Sequence, residues 1–122
     1  MDLKSCYTAF GGDYEEVLGR LYSEKLVKKF LLKFLEDKSF EAMVQAWKEG
    51  NGEEAFRMAH TLKGVCQNLG IARLGASGAK LSDLFRGGTI PPESGAVIAA
   101  AAEKYAQTRQ AIETYRAETE NL

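Results

Sequence analysis

The chain has 122 residues, of which 45% are hydrophobic and 27% charged, the balance of a folded soluble protein rather than of a disordered or membrane-embedded one. Sixteen Lys and Arg against seventeen Asp and Glu leave a net charge of −1. No basic block extends beyond Lys28 and Lys29, so the phosphate-neutralising stripe of a nucleic-acid binder is missing. At this length one domain over residues 1–122 is expected, with no room for a second catalytic unit.

Residues 1–22 are weakly patterned and read as a cap over the end of a bundle built from residues 23–122. The opening MDLKSCYTAFGGDYEE lacks the basic-then-apolar order of a secretory signal. Gly11 and Gly12 punctuate this segment, and Asp13 with Glu16 three residues on predicts a short helix from about Tyr14 to Leu18. Ser23 is the N-cap of a helix whose Leu26, Val27, Phe30, Leu31, Phe34 and Leu35 form a core-facing stripe, with Lys25, Lys28, Lys29 and Lys33 turned away. The pattern breaks around Asp37, Lys38 and Ser39 and resumes through Phe40, Met43, Val44 and Trp47 to Gly50, which predicts a bend or tight turn in this arm.

Asn51 with Glu54 repeats the capping-box spacing, and Gly70 supplies a left-handed cap, bounding a helix of about 18 residues. The next helix follows so closely that the two must be antiparallel neighbours. Its inner face is Leu74, Ser77, Gly78, Leu81, Leu84 and Phe85, and Gly87 and Gly88 stop it. Beyond Ile90, Pro91 and Pro92 a helix runs to about Glu120, with Ile98, Ala101, Ala102, Tyr105, Thr108, Ile112 and Tyr115 recurring at three and four. At about 28 residues it would be about 42 Å long, enough to span a bundle. No segment alternates as a strand does, so the expected fold is all-α. It is an antiparallel up-down four-helix bundle with an additional short N-terminal helix.

The helix bounded by Asn51 and Gly70 carries the chain's only histidine, His60. At 100° per residue His60, Lys63, Gly64 and Gln67 share one narrow stripe, while Ala55, Met58, Ala59, Leu62, Val65, Cys66 and Leu69 occupy the other side. An imidazole on the polar face of a rigid helix is an accessible nucleophile, competent toward phosphorus in its neutral form. An adjacent ammonium, Lys63, becomes a favourable partner once the ring carries a phosphoryl group. Gly64 costs about 1 kcal/mol mid-helix relative to alanine, so something requires the missing side chain, and access for a partner is the simplest reason. Gln67 is placed to hydrogen-bond the imidazole or phosphoryl oxygens. Phe56, one turn before His60, reads equally as an apolar contact for a docking partner and as core.

Other chemistries fail on inventory. Cys66 falls on the face opposite His60, so no Cys-His nucleophile pair is expected, and no glycine-rich phosphate loop is present. Cys6 and Cys66, without a Cys-x-x-Cys spacing and with one histidine, cannot assemble a zinc site. Buried thiols suit a reducing compartment, and no apolar run approaches the roughly 20 residues of a membrane span, so a cytoplasmic protein without membrane contact is expected.

The run AHTLKGVCQNLG, Ala59 to Gly70, resembles the phosphoacceptor motif of histidine-containing phosphotransfer (HPt) domains, the relay modules of multistep two-component signalling. The resemblance implies that His60 is phosphorylated, Lys63 is its positive neighbour, Gly64 gives clearance and Gln67 is a hydrogen-bond partner. It also implies partners: a hybrid sensor histidine kinase and the receiver domain of a response regulator. The receiver would supply Mg²⁺ and its own lysine, leaving this chain a phosphocarrier with no cofactor or metal and no activity alone. Phe85 stands where related sequences often carry a carboxylate, which leaves the outer edge of that helix open. Met1 and the unanchored ends favour a small free protein. The alternative is a docking module that binds a signalling partner through the same face without being phosphorylated; a helical enzyme subunit completed by another chain is a third reading.

Overall fold

A computed structural model describes residues 1–120; the final residues of the expected bundle, 121 and 122, lie outside the described residues. The chain forms α1 (Leu3–Phe10), α2 (Tyr14–Leu21), α3 (Glu24–Lys33), α4 (Ser39–Lys48), α5 (Gly52–Leu69), α6 (Ala72–Phe85) and α7 (Ser94–Glu120). Short 3₁₀ turns follow α3 at Phe34–Glu36 and α6 at Arg86–Gly88. No strand occurs among the described residues, as the periodicity requires.

The histidine-bearing helix begins and ends as the sequence dictates. The Asn51 side chain accepts the Glu54 N–H at 3.2 Å, and Gly70, at φ 68°, turns the chain into α6 while its own N–H and that of Ile71 return to α5 carbonyls. The first arm is interrupted rather than straight. After the 3₁₀ turn Asp37 is extended, and its carboxylate starts α4 by accepting from the Ser39 backbone at 2.9 Å and from the Ser39 hydroxyl.

Helix α5 lies between α4 and α6, and α7 packs beside α6. The bundle closes where Tyr105 of α7 stacks on Phe40 of α4, ring centroids 4.3 Å apart, and meets Phe34 edge-on. The core gathers Val27, Leu31, Phe34, Met43, Leu62, Cys66, Leu74, Leu81, Phe85 and Ile112. Two glycines of α6 bring it close to α5: a Cβ on Gly78 would stand 3.2 Å from the Lys63 backbone nitrogen, and one on Gly75 would stand 3.1 Å from the Cys66 Cβ. The glycine at the start of α5 faces the turn after α6 so closely that a Cβ on Gly52 would collide with the Gly88 carbonyl oxygen.

The N-terminal segment departs from expectation in having two helices rather than one. Helix α1 packs along α7 and buries Leu3, Cys6, Tyr7 and Phe10, and α2 extends to Leu21 rather than Leu18. Together they clamp the α5–α6 turn. The Tyr7 hydroxyl donates to the Leu69 carbonyl at 2.6 Å, the Asp13 N–H to that of Gly70 at 2.9 Å, and Arg73 N–H to that of Gly11 at 3.0 Å.

Several expected core positions lie elsewhere. Leu26 and Phe30 are 38% and 37% exposed, because the inner face of α3 is satisfied by Val27 and Leu31 and the flanking turns of the stripe look past the bundle. Ala102 is exposed and Ala111 is buried instead; Val44, Trp47 and Leu84 are half-buried. Phe85, by contrast, is fully buried on the inner face of α6, where its spacing puts it.

Candidate functional site

The rear of α5 is fixed before its front is considered. Ala55, Ala59 and Leu62 are fully buried and Cys66 nearly so, and α6 is drawn against the Lys63 backbone through Gly78. His60 stands on the opposite side, exposed, near the middle of the 18-residue helix. Among the described residues no hydrogen bond engages its imidazole. The polar groups nearest in sequence are committed elsewhere, Arg57 to the Glu54 carboxylate at 2.6 Å and the Thr61 hydroxyl to the Arg57 carbonyl at 3.0 Å.

Gly64 lies beside His60 with no atom of the described residues within 4 Å of where a Cβ would be, so no close contact within them accounts for the missing Cβ. Lys63 is half-buried on the α6 side of the histidine, and among the described residues no carboxylate pairs with it. Nearby cations are paired: Arg57 with Glu54 and Arg86 with Asp83. Gln67 is exposed one turn further on, and its backbone carbonyl accepts a 2.6 Å hydrogen bond from Arg20, which also pairs with Glu16. The last turn of α5 is thereby tied to α2.

Phe56 is half-buried, and its ring faces that of His60 at 25° with centroids 6.1 Å apart. It packs partly on the core and presents the rest of its ring beside the imidazole. Cys66 is on the buried side, where desolvation pushes its thiol up to about 12, and Cys6 likewise reaches about 12. Neither is a thiolate near neutrality, and no Cys-His pair forms. Among the described residues no three His, Cys, Asp or Glu side chains gather as a metal site would require, and no helix is long and apolar enough to cross a membrane.

The site thus brings together an accessible imidazole on a helix braced from behind, an ammonium unpaired among the described residues and a glycine with open space over it. A family model described as Hpt domain matches residues 26–118. The chain belongs to the Hpt domain family. Members of the family are helical-bundle phosphocarrier modules of two-component signalling, and they interact with receiver domains and kinases. No curated protein and no solved structure matches the chain. Helices α1 and α2 lie before the matched residues.

The Hpt chain also carries surface features that sequence reasoning did not single out. Tyr22, Leu26 and Phe30 are exposed large hydrophobic residues at the α2–α3 corner, Tyr22 at 89% exposure and with a positive φ of 58°. Beside them a groove of about 390 Å³, lined by Leu21, Phe30, Lys33, Phe34, Val65 and Asn68 among others, reaches α5 one turn from Gly64. Arg86 stands with its guanidinium 5.6 Å from the centre of the Phe56 ring. The amphipathic stripe of α3 held a signal for the first feature, since it is wider than one neighbouring helix can cover. Nothing local in sequence signals the second, because Arg86 and Phe56 meet only through the α5–α6 packing.

Proposed function

We propose that this Hpt chain relays a phosphoryl group between receiver-domain aspartates in a multistep phosphorelay in the cytoplasm, with phosphohistidine formed at His60. The reading is carried by one observation: an exposed imidazole, free of hydrogen bonds to the described residues, on a helix packed firmly from behind, beside a glycine with open space over it. A neutral imidazole nitrogen attacks the phosphorus of the partner's aspartyl phosphate; the N–P bond forms as the P–O bond to the aspartate breaks, and the carboxylate leaves with the bonding pair. The return step is the same displacement reversed onto a second receiver. In this reading Mg²⁺ and an activating lysine sit on the receiver. Lys63 offsets the charge of the phosphoryl group on His60, Gln67 hydrogen-bonds its oxygens, and Gly64 leaves clearance for the partner's loop.

In this reading the partner also covers the groove between Phe30 and the turn of α5 that holds Val65 and Asn68. Tyr22, Leu26 and Phe30 offer it apolar contact, and the exposed Lys25, Lys29 and Lys33 of α3 offer positive charge. A hybrid sensor kinase carrying one receiver and a response regulator carrying the other are the partners this implies.

Incubation with a phosphorylated receiver domain tests the proposal. The expected result is acid-labile label on the wild-type chain and none on His60→Gln, with both equally helical by circular dichroism. Unchanged labelling of His60→Gln overturns the assignment. Absent labelling from several receivers that nonetheless bind would leave the docking-module reading.

A further inference from the structure

The phosphoacceptor proposed above sits in a short column of side chains that begins on a different helix. Arg86, the first residue of the 3₁₀ turn after α6, pairs with Asp83 at 2.9 Å and lies over Phe56 at 5.6 Å from the ring centre. Phe56 in turn faces His60 with the rings inclined by only 25°. The turn that carries Arg86 packs closely on the start of α5. Gly88 at its end abuts Gly52, and a Cβ on Gly88 would stand 3.1 Å from the Glu53 side chain. The backbone that carries Arg86 is thus set close against α5, and the Asp83 pair and the Phe56 ring are the contacts its 65%-exposed side chain makes there.

This matters because the imidazole has no hydrogen bond to a described residue that would fix its ring. In many histidine sites such a bond sets ring orientation, and here the face of Phe56 lies beside the ring instead. An exposed helical side chain otherwise samples several rotamers, of which few present a nitrogen in line with an incoming phosphorus. We propose that Arg86 is a positioning residue for His60, acting through Phe56. Its guanidinium keeps the phenyl ring against the imidazole, and the phenyl ring narrows the imidazole to the orientations from which it accepts and returns a phosphoryl group. The inference rests on His60 as phosphoacceptor for its functional consequence, but its structural half does not.

The test therefore has two arms. In the first, proton NMR of the unphosphorylated chain follows the His60 ring resonances, which the Phe56 ring current displaces. Arg86→Ala is expected to move them toward the positions seen in Phe56→Leu, and Arg86→Lys, which keeps a cation over the ring, to restore most of the displacement. In the second, phosphoryl acceptance from a receiver is timed at saturating partner. Arg86→Ala is expected to slow it about 2- to 5-fold, the factor corresponding to an exposed cation–π contact, with receiver affinity unchanged. His60 resonances that stay in place in Arg86→Ala overturn the proposal, whether transfer slows or not, since slowing alone would mean a direct charge effect. If the wild-type chain accepts no phosphoryl group, the phosphoacceptor reading fails while the resonance arm still decides whether Arg86 orients the ring.

Discussion

Gly52 and Gly64 lie on the same helix and are glycine for opposite reasons. At Gly52 the backbone of the turn after α6 occupies the place a Cβ would take; at Gly64 nothing within 4 Å does. The contrast extends to the two faces on which they lie. The inward face of α5 is filled by Ala55, Ala59, Leu62 and Cys66, while the outward face carries His60 and Gln67 in the open. For the proposed relay, a helix built this way keeps its backbone fixed behind His60 and leaves the space in front open to a partner.

Substitutions on the two faces should separate stability from transfer. The largest effect is expected for Leu62→Ala, which empties a fully buried site beneath the histidine and should cost about 3–4 kcal/mol in urea unfolding. Gly52→Val should follow at about 2–3 kcal/mol, because its side chain displaces the Gly88 backbone and with it the end of α6. Tyr7→Phe removes the 2.6 Å hydrogen bond to the Leu69 carbonyl and should cost about 1 kcal/mol, read as a lowered unfolding midpoint with an unchanged urea dependence. Equal losses for Leu62→Ala and for an outward substitution such as Gln67→Ala would break the distinction between the faces.

The boundaries of α5 were legible in the sequence because caps are local: Asn51, Glu54 and Gly70 determine them within a few residues. The fold class followed from periodicity for the same reason. Helix α1 carried its own signal, with Leu3, Cys6, Tyr7 and Phe10 at helical spacing after the cap residue Asp2. Reading Cys6 and Tyr7 as apolar would have revealed it. Which part of an apolar stripe is buried is another matter. Leu26 and Phe30 look as hydrophobic as Val27 and Leu31, and only the number of neighbours around α3 leaves them exposed. In the site, the stripe of His60, Lys63, Gly64 and Gln67 was readable from helical geometry. The contacts of Arg20 with the Gln67 carbonyl and of Arg86 with Phe56 join residues far apart in the chain, and no local pattern encodes them.

The account's central claim, that the outward face of α5 is kept open for a partner and not for the fold, is tested most directly by Gly64→Leu, assayed for stability and for phosphoryl acceptance together. Leucine is the better helix former and its Cβ meets no atom of the described residues within 4 Å, so unfolding should show stability raised by about 0.5–1 kcal/mol. Acceptance from a phosphorylated receiver should nevertheless fall by about 10-fold or more, the order of loss that misplacing a reacting group produces. A Gly64→Leu chain that is folded and accepts the phosphoryl group at the wild-type rate would contradict the claim.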